Sequence, residues 1–320
     1  MVEIWLSYKD TELPLMLPDP IDLKISPKTL VPEVREAEAI KKLYKILKEY
    51  DEIKICFNPI VDEFERNYIR GVLNKTGLSF QESDCEDANI YIDVFRYDPI
   101  LKFKSSIWVG YLHDKPVDKL IKLCDEGDIN PKKYFVDMDK LYVDLIVDGG
   151  PRLVNVFTST DGGHYDDALK YYSSKWCLRV DPPPLVISSV GGAPWDSSIY
   201  SIVSSIIKLK NILGEDSIGI LVGDGVIKTF DPTKLKSFKA EYIEKPYEIY
   251  LYYLLEKTAV HRAIVYYGSI PASIIKYFGV KRVRDLESYI NSLPMRRKRD
   301  VLVIEDLTFL YPYRCSELTI

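Results

Sequence analysis

Apolar and polar residues alternate through VEIWLSYKDTELPLML, residues 2–17, on both sides of the polar stretch YKDTE. That period-two pattern predicts two strands joined by a tight turn. In EVREAEAIKKLYKILKEY, residues 33–50, Ile40, Leu43, Tyr44 and Leu47 fall on one helical face. Glu33, Glu36 and Glu38 crowd its first turns, where the helix dipole favours negative charge. EIKICFNPI then reads as a strand, and VDEFERNYIRGVLNKTG as a helix stopping near Gly77. Further strands are predicted over Asn89–Phe95, Ser106–Leu112, LYVDLIVDGG and RLVNVFTS, with helices over PVDKLIKLCDEG and HYDDALKYYSSKW.

The three prolines in RVDPPPLV stiffen the chain. They suggest a domain boundary near residue 182, dividing the chain into 1–182 and 183–320. Beyond it the pattern becomes regular. LVISSV, SIGILVGDG, AIVYYGS and DVLVIED read as buried strands. Between them lie the helical segments SSIYSIVSSIIKLKNIL, PYEIYLYYLLEKT, PASIIKYFG and VRDLESYINSL. Continuous apolar strands separated by amphipathic helices predict a doubly wound parallel sheet, covered on both faces, in the C-terminal domain. The N-terminal domain is expected to be mixed α/β, and any ligand to lie in a cleft between the two.

Composition changes this picture little. The 320 residues carry a net charge of -5, which argues against a nucleic-acid surface, and no apolar run is long enough to span a bilayer. A cytoplasmic protein is expected. One glutamine, Gln81, against abundant Lys, Glu, Ile and Tyr suggests a thermophilic source. The five cysteines, Cys56, Cys85, Cys124, Cys177 and Cys315, form no C-x-x-C motif and are expected to be buried free thiols. No metal ligand set is expected. His261 reads as structural, and the basic run Arg296–Arg299 as a solvated loop. The tyrosine stripe with Tyr250, Tyr253 and Leu254 reads as core or as a contact with a second copy of the chain.

Two stretches carry candidate chemistry. In SSVGGAPWDSSIY, Gly191 and Gly192 permit a sharp turn out of a strand, and Asp196 or Ser197 can cap the following helix. The amides at that helix start suit an anion, with Trp195 as a wall. In TSTDGGHYDD, Asp161, Gly162, Gly163 and His164 make a glycine turn with titratable groups beside it.

LVISSVGGAPWDSSIYSIVSS resembles the C-terminal domain of the nickel-dependent lactate racemase family. There a strand runs into G-G-x-P-x-D ahead of a helix that opens with tyrosine, and Gly191, Gly192, Pro194, Asp196 and Tyr200 match in place. The likeness spans roughly residues 183–310. It implies a two-domain fold that binds a nickel-pincer nucleotide and moves a hydride at a 2-hydroxy acid. The family's lysine, joined to that cofactor, belongs to a Gly-Gly-Arg-Lys stretch. Gly162-Gly163-His164-Tyr165 puts tyrosine there. Ser201 and Ser204 stand where the family has glutamine and lysine, and His113 in GYLHDKPV is the nearest match to its His-Arg-Pro block.

The expectation is therefore a diverged lactate-racemase-like protein without the racemase machinery and with no resident cofactor. Its ligand would be a small carboxylate or nucleotide, held by Gly191, Gly192, Trp195, Asp196, Ser197, Tyr200, Asp161, Gly162 and Gly163. Two alternatives stand beside it. One is an active isomerase on a small 2-hydroxy acid that uses His164 or His113 as acid and base. The other is a non-catalytic assembly subunit.

Overall fold

The structure is a computed structural model. It describes residues 1–18, 22–25, 36–114, 117, 119, 121–122, 139–181, 183–225, 245–258 and 263–314. The chain opens with β1 (Val2–Tyr8), β2 (Thr11–Leu17), β3 (Asp22–Ile25), α1 (Glu36–Leu47) and β4 (Lys54–Phe57). Next come α2 (Glu63–Asn74), β5 (Gln81–Glu82), β6 (Ile90–Val94), β7 (Arg96–Asp98), β8 (Lys102–Lys104) and α3 (Trp108–Asp114). β9 (Leu141–Val147), β10 (Leu153–Ser159), α4 (His164–Trp176) and β11 (Cys177–Val180) lead to β12 (Leu185–Ser189) and α5 (Ile199–Ile212). β13 (Ile218–Val222), α6 (Pro246–Lys257), β14 (Ala263–Tyr267), α7 (Ala272–Ile275) and β15 (Lys281–Val283) follow. The last elements are α8 (Leu286–Ser292), α9 (Met295–Lys298), β16 (Asp300–Ile304) and β17 (Tyr311–Arg314).

By contact the chain groups into two compact units. The first comprises Met1–Thr29, Trp176–Lys239 and Tyr252–Ile320, and the second Leu30–Lys175 and Ala240–Leu251. The cut near residue 182 is linear, whereas this grouping places the amino-terminal hairpin with the later strands.

In the first unit six strands form a parallel sheet in the order β15-β14-β13-β12-β16-β3. The strand order reverses at β12, with β13 on one side and β16 on the other. Such a switch point is where doubly wound sheets place ligands, beyond the carboxyl ends of the strands. The hairpin β1–β2 covers one face. Its alternate residues Ile4, Leu6, Leu15 and Leu17 are buried among Leu185, Ile187, Ile220, Val222 and Val303. Burying a leucine-sized side chain contributes roughly 1.5–3 kcal/mol, so the alternation read from the sequence is the device that seats the hairpin.

In the second unit five strands run β10-β9-β6-β4-β5, parallel except for the antiparallel pair β9–β10. Both units are α/β, as the sequence predicts.

Some local expectations fail, each for a physical reason. Ser106–Leu112 is not a strand, because helix α3 starts at Trp108. The Asp144 carboxylate accepts from the Ser105 hydroxyl and the Ser106 amide, both at 2.6 Å, and the chain turns there, with the Trp108 amide on Ser105 O. A short apolar run alone does not separate strand from helix. Arg296–Arg299 is not a plain loop: residues 295–298 form α9, and the buried Lys298 amine donates to Asn291 O at 3.1 Å. β3, β5, β7, β8, β11, β15 and β17 have no sequence signal of their own; each is only two to four residues long. Tyr250 and Leu254 of α6 are fully buried. Cys56 and Cys85 are joined in a disulfide rather than free, and Cys177 is half-buried rather than buried. The parallel pair β4–β5 aligns Ile55 with Glu82 and so brings the Cys85 turn beside Cys56, 29 residues away in sequence. Cys124, Cys315, His261 and most of the helix expected over 116–127 lie outside the described residues.

Candidate functional site

The Gly191–Tyr200 turn sits at the switch point of the first unit, directly after β12. Its groups are engaged by the chain itself. A β-carbon on Gly191, where φ is +130°, would lie 2.4 Å from Asp306 Oδ1. One on Gly192, at φ +73°, would lie 3.1 Å from Lys9 O. The Ala193 amide donates to Lys9 O at 2.8 Å, and the Asp196 carboxylate accepts from the Lys9 amide at 2.8 Å. Thus the turn clasps the tip of the hairpin. Gly191, Gly192, Trp195, Asp196 and Tyr200 are buried, and Ser197 is half-buried.

Neither Asp196 nor Ser197 caps α5. Asp196 and Ser197 lie in a 3₁₀ turn, and Ser198 takes the cap by accepting from the Ser201 amide at 3.3 Å. Burial raises the Asp196 carboxyl above the usual carboxylate range, against the lowering by the Lys9 and Asp224 amides.

One cation reaches this edge that sequence reasoning missed. Lys9 Nζ lies 3.2 Å from Asp224 Oδ1, just beyond β13, and that oxygen also accepts from Ser269. Its hydrogen bond to Asp224 raises the Lys9 amine above its usual range. No sequence signal links a residue in a hairpin turn to a strand end more than 200 positions later.

The second unit holds a buried polar row across its sheet. Asp93 of β6 and Asp144 of β9 are partners in register and point to the same face. Asn58, just past β4, donates to Asp93 Oδ2 at 2.6 Å. Over Asp93 lies Lys104, which donates to Asp93 Oδ1 at 2.7 Å and to Glu65; Arg96 donates to Glu65 Oε2 at 2.8 Å. Over Asp144 lie Ser105, Ser106 and His164. The trace of this row was visible in the sequence as a single aspartate inside each of two apolar strands, NIYIDVF and LYVDLIV.

His164 closes the row. Its Nε2 is 3.2 Å from Asp144 Oδ2 and 3.2 Å from Ser106 Oγ, and its Nδ1 is 2.7 Å from Ser159 Oγ. Each ring nitrogen thus has a hydroxyl within hydrogen-bond distance, Ser106 at Nε2 and Ser159 at Nδ1, and a hydroxyl can donate or accept. Ser159 also borders Asp161, whose carboxyl is held below its usual range first by the Gly163 amide and then by the Ser159 hydroxyl. Ser159 Oγ also accepts from the His164 backbone amide at 3.3 Å.

Gly162 is buried at φ +79°, Gly163 and Asp161 are exposed, and Tyr165 is buried edge-on to Phe95 at 5.7 Å. His113 is exposed on α3 and belongs to a different neighbourhood, beside Cys56 and Cys85. A separate cavity of about 360 Å³ opens at the amino ends of β3, β12 and β16, lined in part by Lys24, Arg179, Asp22, Asp181 and Asp300. Among the described residues no helix is long and apolar enough to cross a membrane.

A doubly wound parallel sheet in one unit and a mainly parallel sheet in the other define a two-unit α/β protein. The fold is similar to that of the lactate racemase apoprotein from Thermoanaerobacterium thermosaccharolyticum, with a TM-score of 0.61 over 97% of this chain and 100% of that one. The two share 12% sequence identity, so the likeness establishes a lactate-racemase-like fold. No protein-family model and no curated protein sequence matches the chain.

Proposed function

We propose that the protein uses a lactate-racemase-like scaffold to bind a small polar ligand, a 2-hydroxy acid or a nucleotide, at the His164 end of the buried row. His164 would exchange a proton with a ligand hydroxyl that takes the place of the Ser159 hydroxyl on Nδ1. The observation that carries this reading is the double engagement of His164, with Asp144 behind Nε2 and the half-buried Ser159 in front of Nδ1.

A lysine-tethered pincer cofactor does not fit these residues. Tyr165 stands at the position matched to the family's lysine; it has no amine, and burial holds its phenol well above the usual range. Liganding a metal through Nδ1 or Nε2 of His164 would break its hydrogen bond with Ser159 or with Ser106.

The test is a thermal-shift screen of D- and L-lactate, longer 2-hydroxy acids and nucleoside mono- and diphosphates, run beside optical rotation and intact mass. At 100-fold excess over Kd, a ligand of the native state adds about 2.7 kcal/mol of stability. At least one probe is expected to raise Tm in the native protein and to fail in His164→Asn, with lactate rotation constant and the mass that of the bare chain. A flat screen would sink the ligand reading and favour the assembly alternative. Stoichiometric nickel, or a covalent adduct, would restore the racemase reading.

A further inference from the structure

Three metal-ligating side chains of the second unit converge away from His164's partners. Cys56 closes on β4, Cys85 lies in the turn after β5, and His113 is near the end of α3. One ligand atom from each falls within 4.8 Å of the other two, the cysteines buried and the histidine exposed. The cysteines are disulfide-bonded, with Cα atoms 5.0 Å apart. We propose that this cluster is a thiol-gated site for a soft divalent metal of the zinc type, closed as the disulfide and competent once it is reduced.

A dithiol donates two electrons and two protons, the Cys56–Cys85 bond breaks, both sulfurs become thiols, and the donor is oxidised to its own disulfide. The metal then displaces one proton from each thiol and takes two thiolates and one imidazole nitrogen. Zn–S bonds of about 2.3 Å and Zn–N bonds of about 2.0–2.1 Å put ligand atoms of a tetrahedral centre less than 4 Å apart. Reaching that geometry means parting the two sulfurs from bonding distance and drawing the imidazole in. Three protein ligands leave a fourth position for water, and the exposed imidazole sets that position toward solvent. Thiolate and imidazole together select zinc over magnesium or calcium, which prefer oxygen.

The disulfide and the metal site exclude each other, because a sulfur bonded to sulfur is no longer a thiolate. Sequence spacing shows none of this, since the three residues are separated by 29 and 28 positions and meet only through the β4–β5 pairing and the placement of α3.

The experiment compares the full-length protein as purified with the same protein reduced by a phosphine and freed of reductant without air. Each is titrated with Zn²⁺ against a chromogenic chelator and, separately, with Co²⁺. The reduced protein is expected to bind one metal per chain and to show a thiolate-to-cobalt charge-transfer band; the oxidised protein binds none. Cys56→Ser and Cys85→Ser should abolish the band, His113→Ala should weaken affinity at least about tenfold, and Cys177→Ser should change nothing. Should the serine variants misfold, wild type still decides. Zn²⁺ must slow iodoacetamide labelling of Cys56 and Cys85 in the reduced protein, mapped by mass spectrometry, without slowing it at Cys177. No uptake by reduced protein with native circular dichroism would overturn the proposal, as would equal protection of all three cysteines.

Discussion

Lys104→Met is expected to destabilise the protein by about 3–5 kcal/mol, the usual loss when one partner of a buried ion pair is removed. Lys104, Glu65 and Asp93 are all essentially inaccessible, and the lysine amine bridges the two carboxylates. Methionine fills similar volume but leaves Asp93 with the Asn58 side-chain amide and the Val94 backbone amide and no cation, and Glu65 without its contact to the amine. Urea unfolding followed by tryptophan fluorescence measures the loss. A change below about 1 kcal/mol would mean that the cluster is solvated.

The same cluster sets a pH dependence. Burial pushes the Asp93 carboxyl up to about 6 from its ordinary 3.8, against the opposing pull of Lys104. The folded chain therefore holds a proton that the unfolded chain releases. The resulting stability is complete below pH 3.8 and disappears as pH rises through about 6. In Lys104→Met the opposing charge is gone, so the window should move to higher pH. A window that stays in place would refute the assignment to Asp93.

Gly191→Ala is the second large effect, about 3 kcal/mol from backbone strain and overpacking together. A residue with a side chain rarely adopts φ +130°, and the added carbon would meet Asp306 Oδ1 at 2.4 Å and its Cγ at 2.9 Å. Asp306 cannot retreat freely. Its carboxylate accepts from the Thr308 amide at 3.1 Å, and the Leu307 and Thr308 amides tie this segment to Ser189 O and Val190 O. Shifting it would loosen the end of β12 and the clasp on the hairpin tip. Gly71→Ala is the control. It lies within α2 with nothing within 4 Å of the new carbon, and it should be neutral or stabilising by up to about 1 kcal/mol. Thermal melts of both variants check the contrast. Equal Tm values would mean that the turn tolerates a side chain and that Gly191 serves something other than packing.

The resemblance carried by Gly191, Gly192, Pro194, Asp196 and Tyr200 led to the fold, while the structure gives the same block a packing role. The two are compatible, because a turn at a switch point can be retained for the strand and helix it joins. Within this block the Ala193 amide and the Asp196 carboxylate bond Lys9 O and the Lys9 amide of the protein's own hairpin. His164 was legible as a titratable residue beside a glycine turn. Its partners Ser106, Asp144 and Ser159 were not, because they come from a loop and two strands whose neighbours are set by sheet register.

By itself the sequence determined what is local: the hairpin alternation of residues 2–17, the helical stripes, the apolar strands of the parallel sheet and the glycines that turn at Gly162 and Gly191. Those follow from side-chain period and backbone sterics, which act over a few residues. Tertiary structure decided the rest: that the hairpin joins the later sheet, that Cys56 meets Cys85 and His113, and that Asp93 and Asp144 form one buried row. Each of these depends on which strands pair and in what register, and pairing energy is shared among residues too far apart in sequence for any local pattern to record it.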